Sequence, residues 1–134
     1  MTTVAFVCVR NAGRSQMATA FAEREVAERG LDVEIRTGGT DPADDVHTVV
    51  QEVMAEAGID LSRRQPRDFA REDAADCDYV ITMGCSADGV CPVGWTGDAR
   101  DWDLADPGEA DRATVRRIRD EIAERVAALF DEIQ

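Results

Sequence analysis

The fold of this chain is decided by residues 4–15, which run Val4-Ala5-Phe6-Val7-Cys8-Val9-Arg10-Asn11-Ala12-Gly13-Arg14-Ser15. The apolar first half predicts a buried strand ending at Cys8, and a helix is predicted from Ser15 onward. A strand that stops just before a helix starts leaves several backbone N–H groups pointing into one concavity, where the helix dipole adds positive potential. The turn therefore predicts a cradle for a tetrahedral oxyanion such as phosphate, sulfate or arsenate.

The side chains around this cradle suit nucleophilic chemistry on an oxyanion. Cys8 lies on its rim beside a helix N-terminus and an arginine, which favours the thiolate at neutral pH. The planar fork of Arg14 matches two anion oxygens, and Ser15 can donate to the thiolate or cap the helix. The alternative is a buried cysteine with an arginine nearby by chance. The segment expected to bind the anion comprises Val9, Arg10, Asn11, Ala12, Gly13 and Arg14.

Length and charge narrow the class of protein. A chain of 134 residues predicts one domain with a single core. With no leading signal segment and no long apolar run, we expect a soluble, cytoplasmic protein without membrane contact. The net charge of -13 argues against nucleic-acid binding. All 15 basic residues are arginine, which indicates a salt-in halophile, or alternatively a GC-rich genome.

The cysteines and the single histidine give little support to a metal site. Cys8, Cys77, Cys85 and Cys91 form no C-x-x-C pair, so neither structural zinc nor a secreted disulfide framework is predicted. Cys77 precedes the third predicted strand, at the end opposite the crevice, and is expected to be inert. His47 is expected to be a surface histidine.

The rest of the chain alternates between strand and helix patterns. Four helices are predicted: one over 15–29, one that is capped by residues 41–45 and ends at 57, one over 68–75 and one over 109–131. After the first strand, further strands are predicted over 31–37, 76–83 and 98–102. Such alternation predicts right-handed βαβ units, with helices on both faces of a parallel sheet. The turn 37–40 could line the crevice or be an ordinary turn. The arginines within 63–67 could steer an anion or simply be solvated.

Two later segments bear on chemistry at Cys8. The loop 84–97 leaves the carboxyl end of the third strand, contains four glycines and carries Cys85 and Cys91. We expect it to be mobile and to bring these thiols near Cys8; two unrelated loop thiols are the alternative. Asp106, followed by Pro107, is placed to protonate a departing oxygen, although Asp-Pro also begins many helices.

These motifs resemble the low-molecular-weight protein tyrosine phosphatase superfamily, and within it the thiol-relay arsenate reductases. The strings that carry the resemblance are Asn11 with Arg14-Ser15-Gln16-Met17-Ala18, Val80-Ile81-Thr82-Met83-Gly84-Cys85, Cys91-Pro92, and Asp101-Trp102-Asp103-Leu104 through Asp106-Pro107. The relay cysteines are separated by five residues instead of six, and Thr19 stands where many members have glutamate. A haloarchaeal source is also expected.

The resemblance implies a three-layer α/β/α fold whose four parallel strands lie in the order 2-1-3-4, forming one domain over residues 1–134. It implies an arsenate reductase with Cys8 as nucleophile, Asp106 as general acid and a disulfide relay through Cys85 and Cys91. The expected substrate is arsenate or a phosphate-like oxyanion. Thioredoxin or a small thiol is the expected external reductant, with no tightly bound cofactor and no metal, and we expect a monomer.

Two other functions fit part of the same pattern. A phosphotyrosine phosphatase needs the same cradle, nucleophile and acid, but no second cysteine. It usually has aromatic residues around its site, and the only tyrosine here is Tyr79, within a predicted strand. A non-enzymatic redox or anion-sensing module is the third interpretation, which the joint presence of Cys8, Arg14 and Asp106 disfavours.

Overall fold

The computed structural model describes residues 1–84, 87–108 and 110–133, with backbone alone at 87 and 88. The apolar run that ends in Cys8 forms β1 (Thr2–Cys8), which is buried from Thr3 onward. The other strands are β2 (Val33–Gly39), β3 (Tyr79–Met83) and β4 (Asp98–Asp101). The helices are α1 (Arg14–Arg29), α2 (Thr48–Glu56), α3 (Arg71–Ala74), α4 (Ala87–Val90) and α5 (Arg112–Ile133).

The four strands form one parallel sheet in the order β2-β1-β3-β4, which confirms the predicted topology. Successive β1 side chains point to opposite faces. Val4 and Phe6 pack with α1, α2 and α5 in the larger core, and Ala5 and Val7 pack in a smaller core beneath α3 and α4. Burial on both faces explains why β1 is continuously apolar.

Strand β2 differs from the predicted strand and turn. It continues through Gly38 and Gly39, so most of the predicted turn at 37–40 is paired strand, in register with the end of β1. A Cβ on Gly39 would lie 2.5 Å from the Val9 carbonyl oxygen, and one on Gly38 would lie 2.6 Å from the Cβ of Phe69. These glycines therefore permit close approach of neighbouring chain rather than a turn.

The second helix also begins later than predicted. Helix α2 starts at Thr48, and the preceding residue, His47, makes no side-chain cap; residues 41–45 do not cap the helix. The segment before it instead follows the β1–α1 turn, because the backbone N–H groups of Asp41, Ala43 and His47 donate to carbonyl groups of Val9, Arg10 and Ala12 at 2.8–3.0 Å. Pairing with the turn outweighs the local helix signal.

Other boundaries differ by smaller amounts. The predicted 68–75 helix is reduced to α3, and the predicted loop 84–97 contains α4, whose Val90 is buried. Within the described parts of the chain, no helix is both long and apolar enough to span a bilayer.

Candidate active site

The sulfur of Cys8 lies at the end of β1 and is held by two donors. The Asn11 backbone N–H donates to Cys8 Sγ at 3.2 Å, and Ser15 Oγ lies 2.8 Å from the same sulfur. Ser15 Oγ already accepts a hydrogen bond from Asn11 Nδ2 at 2.6 Å, so its own proton is available for the sulfur. Both contacts fix the direction of the sulfur at the floor of the turn.

The turn keeps this geometry through Asn11. Its φ of 51° is left-handed, a conformation that asparagine tolerates better than most residues. Besides Ser15, Asn11 Nδ2 donates to Thr37 Oγ1 at 2.9 Å, and Asn11 Oδ1 accepts from Gln16 Nε2 at 3.0 Å and from the Arg67 backbone N–H at 2.9 Å. The buried amide thus uses its full hydrogen-bonding capacity to hold a strained backbone that aims an N–H at the sulfur.

Arg14 is the first residue of α1 and reaches across the site. Its side chain is only 11% exposed, and its Nη1 donates to the Leu104 carbonyl oxygen at 3.0 Å. Nη2 lies 4.0 Å from Asp106 Oδ2. The guanidinium is therefore fixed in direction and adjoins the residue expected to act as general acid.

Gly84, directly after β3, makes room for this guanidinium. Its φ is +82°, and a Cβ there would lie 2.8–3.1 Å from the terminal atoms of Arg14. Both the left-handed backbone and the close approach require glycine. The sequence motif drew attention to the following residue, Cys85, and gave this glycine no separate role.

Asp106 lies between β4 and α5, at the carboxyl end of the sheet. Its carboxylate is 67% exposed, and its Oδ1 accepts a hydrogen bond from the Gly108 backbone at 3.0 Å. Pro107 is buried against the β1–α1 turn, where a Cβ on Gly13 would lie 2.6 Å from Pro107 Cγ. Close packing of Gly13 and Pro107 brings the Asp106 carboxylate to the mouth of the site.

These groups line one cavity of about 440 Å³. The cavity is lined by Cys8, Val9, Arg10, Ala12, Gly13, Arg14, His47, Gly84, Asp106 and Pro107. It therefore brings together the expected nucleophile, the arginine clamp and the expected acid. Asn11 does not line the cavity; its backbone N–H contacts the Cys8 sulfur, and its side chain holds the turn in place. Arg10, at the exposed mouth, pairs with the Asp41 carboxylate at 2.7 Å.

Of the two relay cysteines, Cys91 does not line this cavity. Cys85 lies outside the described residues. Cys91 lines a different cavity of about 510 Å³, together with Arg71, Val93 and Trp95. Its half-buried side chain packs against the smaller core, whereas Cys8 belongs to the larger one.

Cys77 has the surroundings of an inert thiol, as expected. Its Sγ donates to the Asp73 carbonyl oxygen at 3.3 Å, and Trp95 Nε1 donates to the Cys77 carbonyl oxygen at 3.0 Å. Burial raises the pKa of the Cys77 thiol to about 11. The thiol therefore stays protonated well above neutral pH, which removes its nucleophilic form.

The raised pKa of the Cys77 thiol predicts selective alkylation. In native protein at pH 8, iodoacetamide should modify Cys8 while leaving Cys77 intact, because only about one Cys77 thiol in a thousand is ionised there. Peptide mass mapping measures both positions, and protein unfolded in guanidinium is the control in which both should react. Modification of native Cys77 as fast as Cys8 would contradict the assignment.

Sequence reasoning missed three features of the site. His47 is not a remote surface residue: it is half-buried and lines the cavity. Gly84 accommodates Arg14, and Thr37 supports Asn11 from β2. Only Thr37 carried a usable signal, since it was predicted at the carboxyl end of a strand beside the crevice.

Within residues 1–84, 87–108 and 110–133, no group of three or more histidine, cysteine or acidic side chains is arranged to hold a metal ion. Thr19, whose lack of a carboxylate set the sequence apart in the resemblance, is buried and donates to the Ser15 carbonyl oxygen at 2.7 Å. Its hydroxyl is thus used within the first turns of α1.

The chain is similar over most of its length to proteins named as arsenate reductases. A protein of Halobacterium salinarum, provisionally named an arsenate reductase, is 55% identical over 133 residues, covering 98% of this chain and 92% of its own. The thioredoxin-dependent arsenate reductase of Corynebacterium glutamicum has a TM-score of 0.80 at 36% identity; the match covers all of this chain and 62% of that protein. The structure of an arsenate reductase in its phosphate-binding state has a TM-score of 0.84 at 33% identity, and the match covers all of both chains.

The family match extends over nearly the whole sequence. It includes β1, the turn that holds the Cys8 sulfur, and the Asp106 segment. Residues 3–134 match the low molecular weight phosphotyrosine protein phosphatase family, and the chain belongs to that family.

Proposed function

We propose that this protein is an arsenate reductase in which Cys8 is the nucleophile and Cys85 and Cys91 form a disulfide relay. The observation that carries the proposal is the pair of donors on the Cys8 sulfur, from Asn11 N–H and Ser15 Oγ, at a cavity that Arg14 and Asp106 also line. The similarity to arsenate reductases over the full chain supports this activity over others of the family.

The first step forms a bond between sulfur and arsenic. The Cys8 thiolate attacks As(V), Arg14 and the turn amides hold the arsenate oxygens, and Asp106 gives its proton to the departing oxygen, which leaves as water. Cys8 is then linked covalently to arsenic, still as As(V). The cavity accommodates this step with little rearrangement, because its ionic and hydrogen-bonding groups are already assembled.

The second step transfers the electrons. The Cys85 sulfur attacks Cys8, a Cys8–Cys85 disulfide forms, and the pair of electrons of the S–As bond stays on arsenic, which leaves as arsenite. Cys91 then attacks Cys85, which releases the Cys8 thiolate and leaves a Cys85–Cys91 disulfide. The two thiols lost thus balance the two-electron reduction of As(V) to As(III).

The relay requires a conformational change. Cys91 packs in the smaller core, directly after α4, and does not line the Cys8 cavity, so this segment must move for the disulfide to pass from Cys8 to Cys91. The cavity beside Cys91 is lined by Val93, which is 98% exposed, so a disulfide formed here can be reached by a dithiol protein. We infer a thioredoxin-like reductant, in line with the thioredoxin dependence of the C. glutamicum relative.

Phosphomonoester hydrolysis is the second candidate, and the cavity lining argues against phosphotyrosine as its substrate. Among the described lining residues there is no phenylalanine, tyrosine or tryptophan to contact a phenyl ring. Tyr79 lies in β3, where its ring adjoins Arg100 at 5.7 Å. A small, polar oxyanion fits the wall better than an aryl ester.

The test is a single-turnover reaction of reduced protein with arsenate, followed by mass spectrometry. We expect two thiols to be lost per arsenite formed, with Cys85 linked to Cys91. Cys91→Ser should stop after one turnover at a Cys8–Cys85 disulfide, because no second thiol is present to resolve it. Cys77→Ser is the matched control and should behave as the parent protein.

Two results would contradict the proposal. One is arsenate-independent thiol chemistry, with no arsenite formed. The other is turnover of an aryl phosphate that survives Cys85→Ser while arsenate oxidises no thiol, which would assign the protein to phosphomonoester hydrolysis.

A further inference from the structure

His47, the only histidine of the chain, lies beside the Asp106 segment. The position that a Cβ would take on Gly108 lies 3.3 Å from His47 Nε2 and 3.3 Å from Asp106 Oδ1. His47 Cδ2 also lies 3.5 Å from the Cβ position of Gly13, against which Pro107 packs. The imidazole therefore adjoins both the turn that holds Cys8 and the segment that carries Asp106.

Two backbone hydrogen bonds determine the position of His47. The His47 backbone N–H donates to the Ala12 carbonyl oxygen at 3.0 Å, and its own carbonyl oxygen accepts from the first turn of α2 through the Gln51 N–H at 3.0 Å. His47 is thus anchored to the β1–α1 turn on one side and to α2 on the other. A residue fixed at both ends can hold its side chain in one direction at low entropic cost.

Among the described residues, the His47 side chain makes no hydrogen bond that caps α2, and neither ring nitrogen is paired with a side chain of the site. A neutral imidazole has one donor and one acceptor, and an imidazolium has two donors. Nothing else in the described part of the site uses them. The charged and titratable groups that line the same cavity as the ring are Cys8 and Arg14 from the β1–α1 unit and Asp106 from the β4–α5 segment, with Arg10 at the mouth.

Asp106 needs such a neighbour once substrate is bound. Its carboxylate is 67% exposed and receives one hydrogen bond, from Gly108 to Oδ1; its only ion-pair contact in the described residues is Arg14 at 4.0 Å. At 4.0 Å the contact between Arg14 Nη2 and Oδ2 is too long to be a hydrogen bond, and a bound oxyanion competes for the same guanidinium. An exposed acid with one remaining bond samples many orientations, and most of them do not aim at the leaving oxygen.

We propose that His47 is a positioning residue for Asp106: a hydrogen bond from imidazole Nε2, formed in the substrate complex, holds the carboxyl group toward the leaving oxygen. This inference rests on the proposed use of Asp106 as general acid and goes beyond the assignment of the acid itself. The bond preserves the acid's orientation while Arg14 is occupied by the anion. His47 touches neither arsenic nor the reacting sulfur.

The test is a double-mutant cycle on the full chain, with the rate of arsenate-dependent thiol loss in a single turnover as readout. His47→Leu should lower this rate about tenfold, since misplacing a general acid removes part of its contribution. His47→Gln, whose Nε2 can occupy nearly the same place as the imidazole Nε2, should recover to within about threefold of the parent rate. In an Asp106→Asn background, His47→Leu should change the rate by less than about twofold.

A purely structural role for His47 gives a different pattern. In that case, His47→Leu lowers the rate equally in the parent and Asp106→Asn backgrounds. Inorganic phosphate then also protects Cys8 of the His47→Leu variant less well against alkylation. Either result overturns the inference, as does a parent-like rate for His47→Leu. An Asp106→Asn variant as fast as the parent would also overturn it, because there would be no acid to position.

Failure of the proposed function can be told apart from failure of this inference. If arsenate oxidises no thiol in the parent protein, the cycle is repeated with phenyl phosphate, whose poor leaving group needs the same acid. Coupling between His47 and Asp106 in that assay upholds the positioning role without arsenate chemistry. Loss of coupling in an assay that depends on Asp106 refutes it.

Discussion

Cys8→Ser will abolish arsenate reduction, lowering the single-turnover rate by about 10⁴-fold or more. A hydroxyl in the place of Cys8 Sγ remains protonated at neutral pH, and the donors from Asn11 and Ser15 stabilise a thiolate far better than they create an alkoxide. It also cannot form the disulfide that releases arsenite. The rate is measured as arsenite formed and thiols lost after mixing with arsenate.

The same variant should still bind the anion. The turn amides and Arg14 are unchanged, and serine is no larger than cysteine, so inorganic phosphate should bind Cys8→Ser with an affinity within several-fold of the parent. Isothermal titration with phosphate measures this. Cys77→Ser is the control for the loss of one thiol and should retain activity. Arsenate reduction by Cys8→Ser through another cysteine would refute the assignment of the nucleophile.

Arg14→Lys will lower kcat/KM for arsenate by about 10²–10³-fold, comparable to the loss of one oxyanion donor in other enzymes. Lysine keeps the positive charge but loses the planar fork that can hold two oxygens. It also loses the hydrogen bond from Nη1 to the Leu104 carbonyl oxygen, which links α1 to the segment before Asp106. We therefore expect weaker contact with the arsenate oxygens and a less well placed Asp106 carboxyl group.

The matched control is Arg24→Lys on the same helix. Arg24 is exposed and its guanidinium lies 5.0 Å from the Phe21 ring centroid, outside the cavity, so its replacement should change kcat/KM by less than about twofold. Steady-state kinetics with a dithiol reductant measures both variants. Parent-like activity of Arg14→Lys would show that only charge, not the geometry of the guanidinium, matters at this site.

The sequence pattern alone predicted those parts of the site whose residues are adjacent in the chain. An apolar strand, a cysteine at its end, and Arg14-Ser15 after five intervening residues predict both the turn and oxyanion binding there, because neighbours in sequence build the cradle. Asp106 followed by Pro107 was also recognised, because its place after the fourth strand puts it at the same edge of the sheet. The strand order came from the family resemblance, and the structure confirms it.

The predictions that were wrong concern residues whose partners lie far away in the sequence. Gly38 and Gly39 suggested a turn, yet they are strand residues that let Phe69 and the Val9 carbonyl approach closely. His47 carried a helix-surface pattern, yet backbone pairing with Ala12 brings it to the cavity. Neither contact leaves a periodicity in the sequence, since each depends on a partner more than 25 residues away.

By itself, the sequence determined the alternation of strands and helices, the nucleophilic turn and the identity of the expected acid, since each follows from residues adjacent in the chain. Tertiary structure alone decided that Arg14 fits against Gly84, that His47 adjoins Asp106, and that Cys91 lies apart from Cys8. These relations depend on close packing between segments distant in sequence, where the absence of one Cβ or a single backbone hydrogen bond determines which side chains meet.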